Sequence, residues 1–223
     1  MLGNSTYVST ALWYQQVIRI FWFIAIALIM FTDKLSFHKK INGLNSHILD
    51  LFMKNYTHLG DGIFAIVLSL YFIFRNVRIG LLILISYLTS SGITQVLKHF
   101  FFSEYNRPYF YFKEDSAFHF IENFNYHAHH SFPSGHATTC FAIFTILAYK
   151  NQENIRVQII FAILAISVAF SRVYLSQHFI QDIIAGSMIG FLCAHFLWLF
   201  IYSKLYKLDR ALLPKKQNVV KEK

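Results

Sequence analysis

Where two apolar segments meet, the sequence reads Ser171-Arg172-Val173-Tyr174-Leu175-Ser176-Gln177-His178-Phe179-Ile180-Gln181-Asp182. If this stretch is helical, His178 and Asp182 are four residues apart, lie on one face and can form a hydrogen bond. The carboxylate would fix the imidazole tautomer and leave the other ring nitrogen free to act as a nucleophile. Because Arg172 lies beside them, the group attacked is expected to be an anion, with phosphate the first candidate.

The composition around this stretch is that of a polytopic membrane protein. Hydrophobic residues make up 56% of the 223 positions and charged residues 14%, whereas a soluble domain has about 25% charged residues. The sequence therefore predicts an all-α fold, a single domain over residues 1–223 built as a six-transmembrane-helix bundle. The predicted spans run approximately through Val17–Thr32, Gly62–Phe74, Ile79–Leu97, Ala137–Tyr149, Val157–Phe170 and Phe179–Ser203.

The basic residues predict the orientation of the chain. They are concentrated in the segments that share a side with both termini, above all in the basic tail over residues 204–223. By the positive-inside rule both termini are cytoplasmic, in a cytoplasmic (inner) membrane of bacterial type. A basic tail after an apolar run favours a membrane surface over nucleic acid. The first span is open to a second interpretation, a signal peptide, although Arg19 is the one positive charge before its apolar part.

Two further polar segments are predicted to face the same compartment as the opening stretch, on the outer side. The first contains Lys98 and Arg107, two cations that could neutralise a dianion. The second, Pro133-Ser134-Gly135-His136, stands before the fourth span, where free helix N–H groups attract phosphate and a histidine can act as acid or base. Taken singly, each segment also fits an unspecific explanation, such as a lysine that extends to the interface or an ordinary helix start.

Together these residues resemble the motifs of the type 2 phosphatidic acid phosphatase (PAP2) superfamily. Ser134-Gly135-His136 and Arg172…His178…Asp182 are similar to its second and third motifs, and Lys98…Arg107-Pro108 resembles the first, at a longer spacing. The resemblance implies that His178 is the nucleophile, that Asp182 orients it, and that His136 protonates the leaving oxygen and then activates water. It also implies that the phosphoryl oxygens are held by Lys98, Arg107, Ser134, Gly135 and Arg172.

The predicted function is metal-independent hydrolysis of a lipid phosphate or diphosphate through a phosphohistidine, without a cofactor. The candidate substrates are prenyl diphosphate, phosphatidylglycerol phosphate, phosphatidic acid and a lipid A phosphate. A lipid phosphotransferase on the same scaffold and a non-catalytic lipid-binding or transport protein are the alternatives. The oligomeric state is left open.

Other polar residues are expected to have structural roles. Asp61 is interpreted as the N-cap of the second span, and His195 as a packed, hydrogen-bonded histidine in the last one. The histidines at 127, 129 and 130 lack a cysteine or carboxylate at useful spacing, so no metal site is expected there.

Overall fold

In the computed structural model, which describes residues 10–205, every regular element is helical. The all-α prediction is thus confirmed for these residues, while residues 206–223 of the predicted basic tail lie outside them. Two short turns of other types are present, a 3-10 turn at Thr57–Gly60 and a π turn at Leu97–Phe101. The α-helices are α1 (Leu12–Phe31), α2 (Lys34–Asn42), α3 (His47–Tyr56), α4 (Gly62–Arg75), α5 (Val77–Val96), α6 (Pro108–Phe112), α7 (Gly135–Lys150), α8 (Ile155–Tyr174) and α9 (Ile180–Ile201).

Each predicted span coincides with a helix, but six independent membrane crossings are not confirmed. Helices α1, α8, α9 and α5 with its π turn are each long and apolar enough to cross a membrane. Helices α3 and α4, bent by 55° where they meet, would make a fifth if they form one broken span. Helix α7 has 16 residues and is therefore about 24 Å long, shorter than the roughly 30 Å hydrocarbon core.

The short α7 is the centre of the bundle. All of its residues from Ala137 to Tyr149 are buried, and it packs against α5, α8 and α9. Two glycines allow the contact with α9, because a side chain at Gly186 would collide with the carbonyl of Ser134 and one at Gly190 with that of Thr138. Small residues four apart let two helices approach closely. This contact sets the start of α7 beside the start of α9.

Polar caps explain why several helices begin earlier than the apolar pattern predicts. The side chains of Asn76, Ser134 and Asn154 accept from the backbone N–H three residues on, and so start α5, α7 and α8. Such residues satisfy N–H groups that have no partner within the helix. A hydropathy pattern places Asn76, Ser134 and Asn154 outside the predicted spans, although these polar residues define the first turns of the helices.

The described helices place the candidate residues at one end of the bundle and the start of α1 at the other. Tyr14 Oη lies 2.9 Å from Thr145 Oγ1, and Gln15 Nε2 donates to Tyr149 Oη at 3.1 Å, both close to the end of α7. The starts of α4, α7 and α9 and the ends of α5 and α8 therefore meet at the end opposite the start of α1.

Two short helices that the sequence did not predict, α2 and α3, pack over this end. His38 of α2 lies with Nε2 3.2 Å from Ser176 Oγ, and Asp50 of α3 accepts from Tyr174 Oη at 2.7 Å. Asp50 also lies 2.8 Å from His119 Nε2, in the long segment between α6 and α7. The two helices thus hold both the end of α8 and this long segment.

Candidate active site

The turn after α8 joins the candidate anion-binding arginine to the candidate nucleophile. The N–H of Ser176 donates to Val173 O at 3.0 Å, and that of Gln177 donates to Arg172 O at 2.9 Å. These two bonds, with Ser176 at φ 53°, form the Schellman motif that ends many helices. The N–H of His178 also donates to Arg172 O, at 3.1 Å. Arg172 and His178 therefore belong to a single hydrogen-bonded turn.

Asp182 reaches His178 in a different way from the one predicted. The two residues do not share a helix face, since α9 begins at Ile180 and His178 lies in the turn before it. Asp182 is the third residue of α9, and its Oδ2 turns back to accept from the N–H of Phe179 at 2.9 Å and from Ser131 Oγ at 2.5 Å. The same oxygen lies 3.3 Å from His178 Nδ1. The predicted pair is present, but a helix start and Ser131 orient it.

The environment of His178 keeps its imidazole neutral. Burial lowers its pKa well below the usual value, and the nearby cations Arg107, Lys98 and Arg172 act in the same direction. The residue is 2% exposed. With Nδ1 directed at Asp182, the remaining nitrogen is Nε2, whose lone pair is available in the neutral ring. His178 thus has the protonation state that a nucleophile needs.

Two of the predicted cations keep unused donors. Arg172 Nη1 donates to Thr57 Oγ1 at 3.0 Å, but its Nε is buried without an acceptor among the described residues. Lys98 is 8% exposed and makes no hydrogen bond within residues 10–205, although it interacts electrostatically with Arg107, Arg172 and Asp182. Lys98 belongs to the π turn, a feature often found at functional sites.

Arg107 has a structural role that the sequence did not reveal. Its Nε donates to His129 O at 2.9 Å and its Nη2 to His130 O at 3.3 Å. Its Nη1 donates at 3.2 Å to both the backbone O and the side-chain Oε1 of Gln177. Four of its five N–H groups therefore bind protein oxygens, which leaves one for a ligand. Arg107 connects residues 129–130 to the turn that carries His178.

The start of α7 supplies backbone N–H groups beside Asp182. Ser134 is fully buried, its N–H donates to Asp182 O at 3.0 Å, and its Oγ caps the N–H of Ala137 at 3.4 Å. Gly135 and His136 follow as the first residues of α7. Their N–H groups lie where a helix has no internal acceptors, which is the arrangement that binds phosphate.

The partner of His136 is Asp61, for which the sequence predicted a different role, that of a helix N-cap. Asp61 stands at the N-cap position of α4, but its side chain makes no capping hydrogen bond. Its Oδ1 lies 2.6 Å from His136 Nε2, and its Oδ2 lies 2.5 Å from His58 Nδ1. The carboxylate is thus used for a contact between two histidines rather than for starting the helix. Asp61 and His136 are 75 positions apart, so no local pattern could have revealed this pair.

The remaining histidines are dispersed. His129 Nδ1 lies 2.7 Å from Asn106 Oδ1, and the ring of His130 lies 4.8 Å from that of His99, with the ring planes tilted by 50°. His195 Nδ1 lies 2.7 Å from Tyr149 Oη, as expected for a packed, hydrogen-bonded histidine. Within the described part of the chain, no three His, Cys, Asp or Glu side chains are grouped as metal ligands would be.

Comparison with known proteins gives one consistent family. The family model of the PAP2 superfamily matches residues 79–206. Phosphatidylglycerophosphatase B of Bacillus subtilis is 30% identical over 154 residues, which cover 63% of this chain and 69% of that protein. The crystal structure of a transmembrane PAP2-type phosphatidylglycerolphosphate phosphatase from Bacillus subtilis superposes with a TM-score of 0.59 at 25% identity, over 82% of this chain and 93% of that one. That of Aquifex aeolicus LpxE gives a TM-score of 0.61 at 24% identity, over 74% and 94%.

Proposed function

Since this chain belongs to the PAP2 superfamily, we propose that it is a membrane phosphatase that hydrolyses a lipid phosphate or diphosphate through a phosphohistidine on His178. The reaction class, phosphoric ester hydrolysis, follows from the family. The observation that supports His178 as the nucleophile is the environment of its side chain. A buried neutral imidazole, held by Asp182, lies among cations of which Lys98 and Arg172 keep unused donors. Such a site is suited to phosphoryl transfer, which depends on positioning and on stabilising charge.

In the first step, His178 Nε2 attacks phosphorus while the bond from phosphorus to the leaving oxygen breaks. His136 enters this step as the imidazolium, paired with Asp61, and gives its second ring proton to that oxygen, so the lipid product leaves as a neutral alcohol or as a protonated phosphate. Lys98, Arg172 and the free N–H of Arg107 stabilise the equatorial oxygens, together with the N–H of Gly135. Asp182 balances the positive charge that develops on the imidazole of His178.

In the second step, water attacks the phosphohistidine. An oxygen–phosphorus bond forms, and the phosphorus–nitrogen bond breaks with its electron pair returning to His178 Nε2. His136, neutral after the first step, takes the proton of the water and is thereby recharged for the next turnover. Over the two steps, protons and electrons therefore balance with the side chains named.

A lipid substrate fits the location of the site. The candidate residues lie at the ends of apolar helices, level with the lipid headgroups if those helices cross the bilayer. The contacts of Tyr14 and Gln15 lie at the other end of the bundle. If the start of α1 is cytoplasmic, as the positive-inside rule favours, the site is on the outer face. Phosphatidylglycerolphosphate appears in the names of Bacillus subtilis relatives, so it is a candidate substrate together with prenyl diphosphate, phosphatidic acid and lipid A phosphate.

The test is phosphate release by the purified full chain in one detergent, with each of these four lipids. His178→Ala removes the nucleophile and should abolish release, while His127→Ala, an exposed histidine of the long loop, is the matched control. Phosphate release that survives His178→Ala would overturn the assignment. Product that forms solely when an acceptor lipid is added would show a transferase, and binding without turnover by wild type would show a non-catalytic protein. Strong inhibition by EDTA would contradict the metal-independent mechanism.

A further inference from the structure

The contact between Asp61 and His136 fixes which nitrogen of His136 is free. A carboxylate accepts hydrogen bonds, so at 2.6 Å the Nε2 of His136 is the protonated nitrogen. In the neutral ring the lone pair is then on Nδ1, which makes no hydrogen bond with other residues in the range 10–205. For His178 the assignment is reversed, because Asp182 lies at Nδ1 and leaves Nε2 free. Each histidine thus has its own carboxylate, and the two present opposite nitrogens.

A polar pocket of about 180 Å³, partly open to the outside, lies beside this pair, between α4, α5 and α7. Its walls include both Asp61 and His136. The polar side chains that line it from α5 are Tyr87, Ser91, Thr94 and Gln95. A buried water needs two to four polar partners and occupies about 30 Å³ in the liquid. The pocket therefore has the size and the lining to hold several waters in contact with the acid–base histidine.

We infer that Asp61 is a positioning residue that sets the tautomer of His136, and that the pocket beside them is a water site which supplies the hydrolytic water. This inference rests on the proposed function and concerns its second step. Water from the pocket moves to the phosphohistidine, and its oxygen bonds to phosphorus as its proton passes to His136 Nδ1. Asp61 stabilises the resulting imidazolium through Nε2. The hydrolytic water thus comes from the side of α4 and α5.

The experiment separates the two steps with an aryl phosphate whose leaving group needs no protonation. Asp61→Asn keeps the shape but removes the negative charge, so that the imidazolium of His136 loses the carboxylate that stabilises it. The aryl alcohol should then appear in a burst equal to the enzyme concentration, because phosphorylation of His178 proceeds. Phosphate release should fall by about 100-fold, the lower part of the range for losing an acid–base group. Asp61→Glu, which restores a carboxylate, should recover part of this loss.

A second variant tests the water site. Ser91→Leu fills the pocket from α5 while Asp61 and His136 remain, and it should give the same burst with phosphate release about tenfold slower. His127→Ala is the control, because this exposed histidine contacts neither Asp61 nor His136, and it should change neither step more than about threefold. A merely structural role of Asp61 would reduce burst and phosphate release together, without recovery by Asp61→Glu.

Two results would overturn the inference. Wild-type phosphate release by Asp61→Asn would contradict the positioning role, and wild-type release by Ser91→Leu would contradict the water site. Neither result would touch the proposed function, provided that His178→Ala is inactive in the same assay. If His178→Ala stays active, the proposed function itself is wrong.

Discussion

Replacing Arg107 by lysine tests whether this residue stabilises the structure of the site in addition to binding phosphate. The guanidinium donates to His129 O, His130 O and two oxygens of Gln177. Lysine keeps the charge but has one nitrogen, so it cannot reach acceptors on both sides of a planar fork. We expect at least two of the four contacts to be lost in Arg107→Lys.

The structure gives the size of the effect. A hydrogen bond from a charged donor contributes about 1.5–3 kcal/mol, so two lost bonds amount to about 3–6 kcal/mol. Water can replace part of this because Arg107 is 9% exposed, which favours the lower value. A loss of about 3 kcal/mol corresponds to roughly 100-fold more frequent opening of the segment that Arg107 holds.

The assay is hydrogen exchange of two backbone amides in detergent, combined with phosphate release. The N–H of Arg107 donates to Ala128 O and that of Ser131 to Tyr105 O, each at 2.8 Å, so both report on the docked segment. In Arg107→Lys both amides should exchange about 100-fold faster, with activity reduced. Lys98→Met is the matched control, because Lys98 makes no hydrogen bond with the described residues; it should lose activity without faster exchange. If hydrogen exchange of the two amides is unchanged in Arg107→Lys and KM alone is raised, the structural role of Arg107 is refuted.

Three further predictions address the nucleophile, its carboxylate and the helix contact. Because the pKa of His178 is lowered and the neutral ring attacks, the single-turnover rate with an aryl phosphate, whose leaving group needs no proton from His136, should stay constant through pH 6.5 and fall only at lower pH; an acid limb centred at or above 6.5 would contradict this. Ser131→Ala removes a 2.5 Å donor to Asp182 and should lower kcat about tenfold, from a loss of about 1–2 kcal/mol, so an unchanged kcat would show that the hydroxyl does not orient the carboxylate. Gly190→Leu should lower thermal stability in detergent by at least 1–3 kcal/mol through overpacking against α7, whereas Gly92→Leu, which meets open space, should not; equal stability of the two variants would refute the packing argument.

The sequence predicted the contact between His178 and Asp182, but through a shared helix face that the structure does not show. His178 and Asp182 are four positions apart, and His136 follows a helix cap, so their proximity to helix starts is encoded within a few residues. The number of crossings was less predictable, because the burial of α7 at the centre of the bundle lets a 16-residue helix stand where a span was expected. Apolar composition alone does not distinguish a lipid-facing helix from a buried one.

The partners of the site residues could not be predicted, because they come from distant parts of the chain. Asp61 resembled an N-cap by position, since a carboxylate before an apolar run usually has that role. Its pairing with His136 depends on how α4 packs against α7, for which the sequence contains no periodic signal. The contacts of Arg107 with backbone oxygens were invisible for a related reason, since any residue provides a carbonyl.

The turn that carries Arg172 and His178 has a consequence for how the lipid environment acts on the enzyme. Arg172, which binds the phosphate, and His178, which attacks it, belong to one Schellman turn. Stretching or thinning the membrane should therefore leave the relative position of these two residues unchanged. The acid–base pair, in contrast, bridges two helices that can shift against each other when bilayer thickness changes. Membrane mechanics should therefore act on the proton transfers of His136 in both steps, while the distance from Arg172 to His178 stays fixed, and would make turnover a function of acyl-chain length.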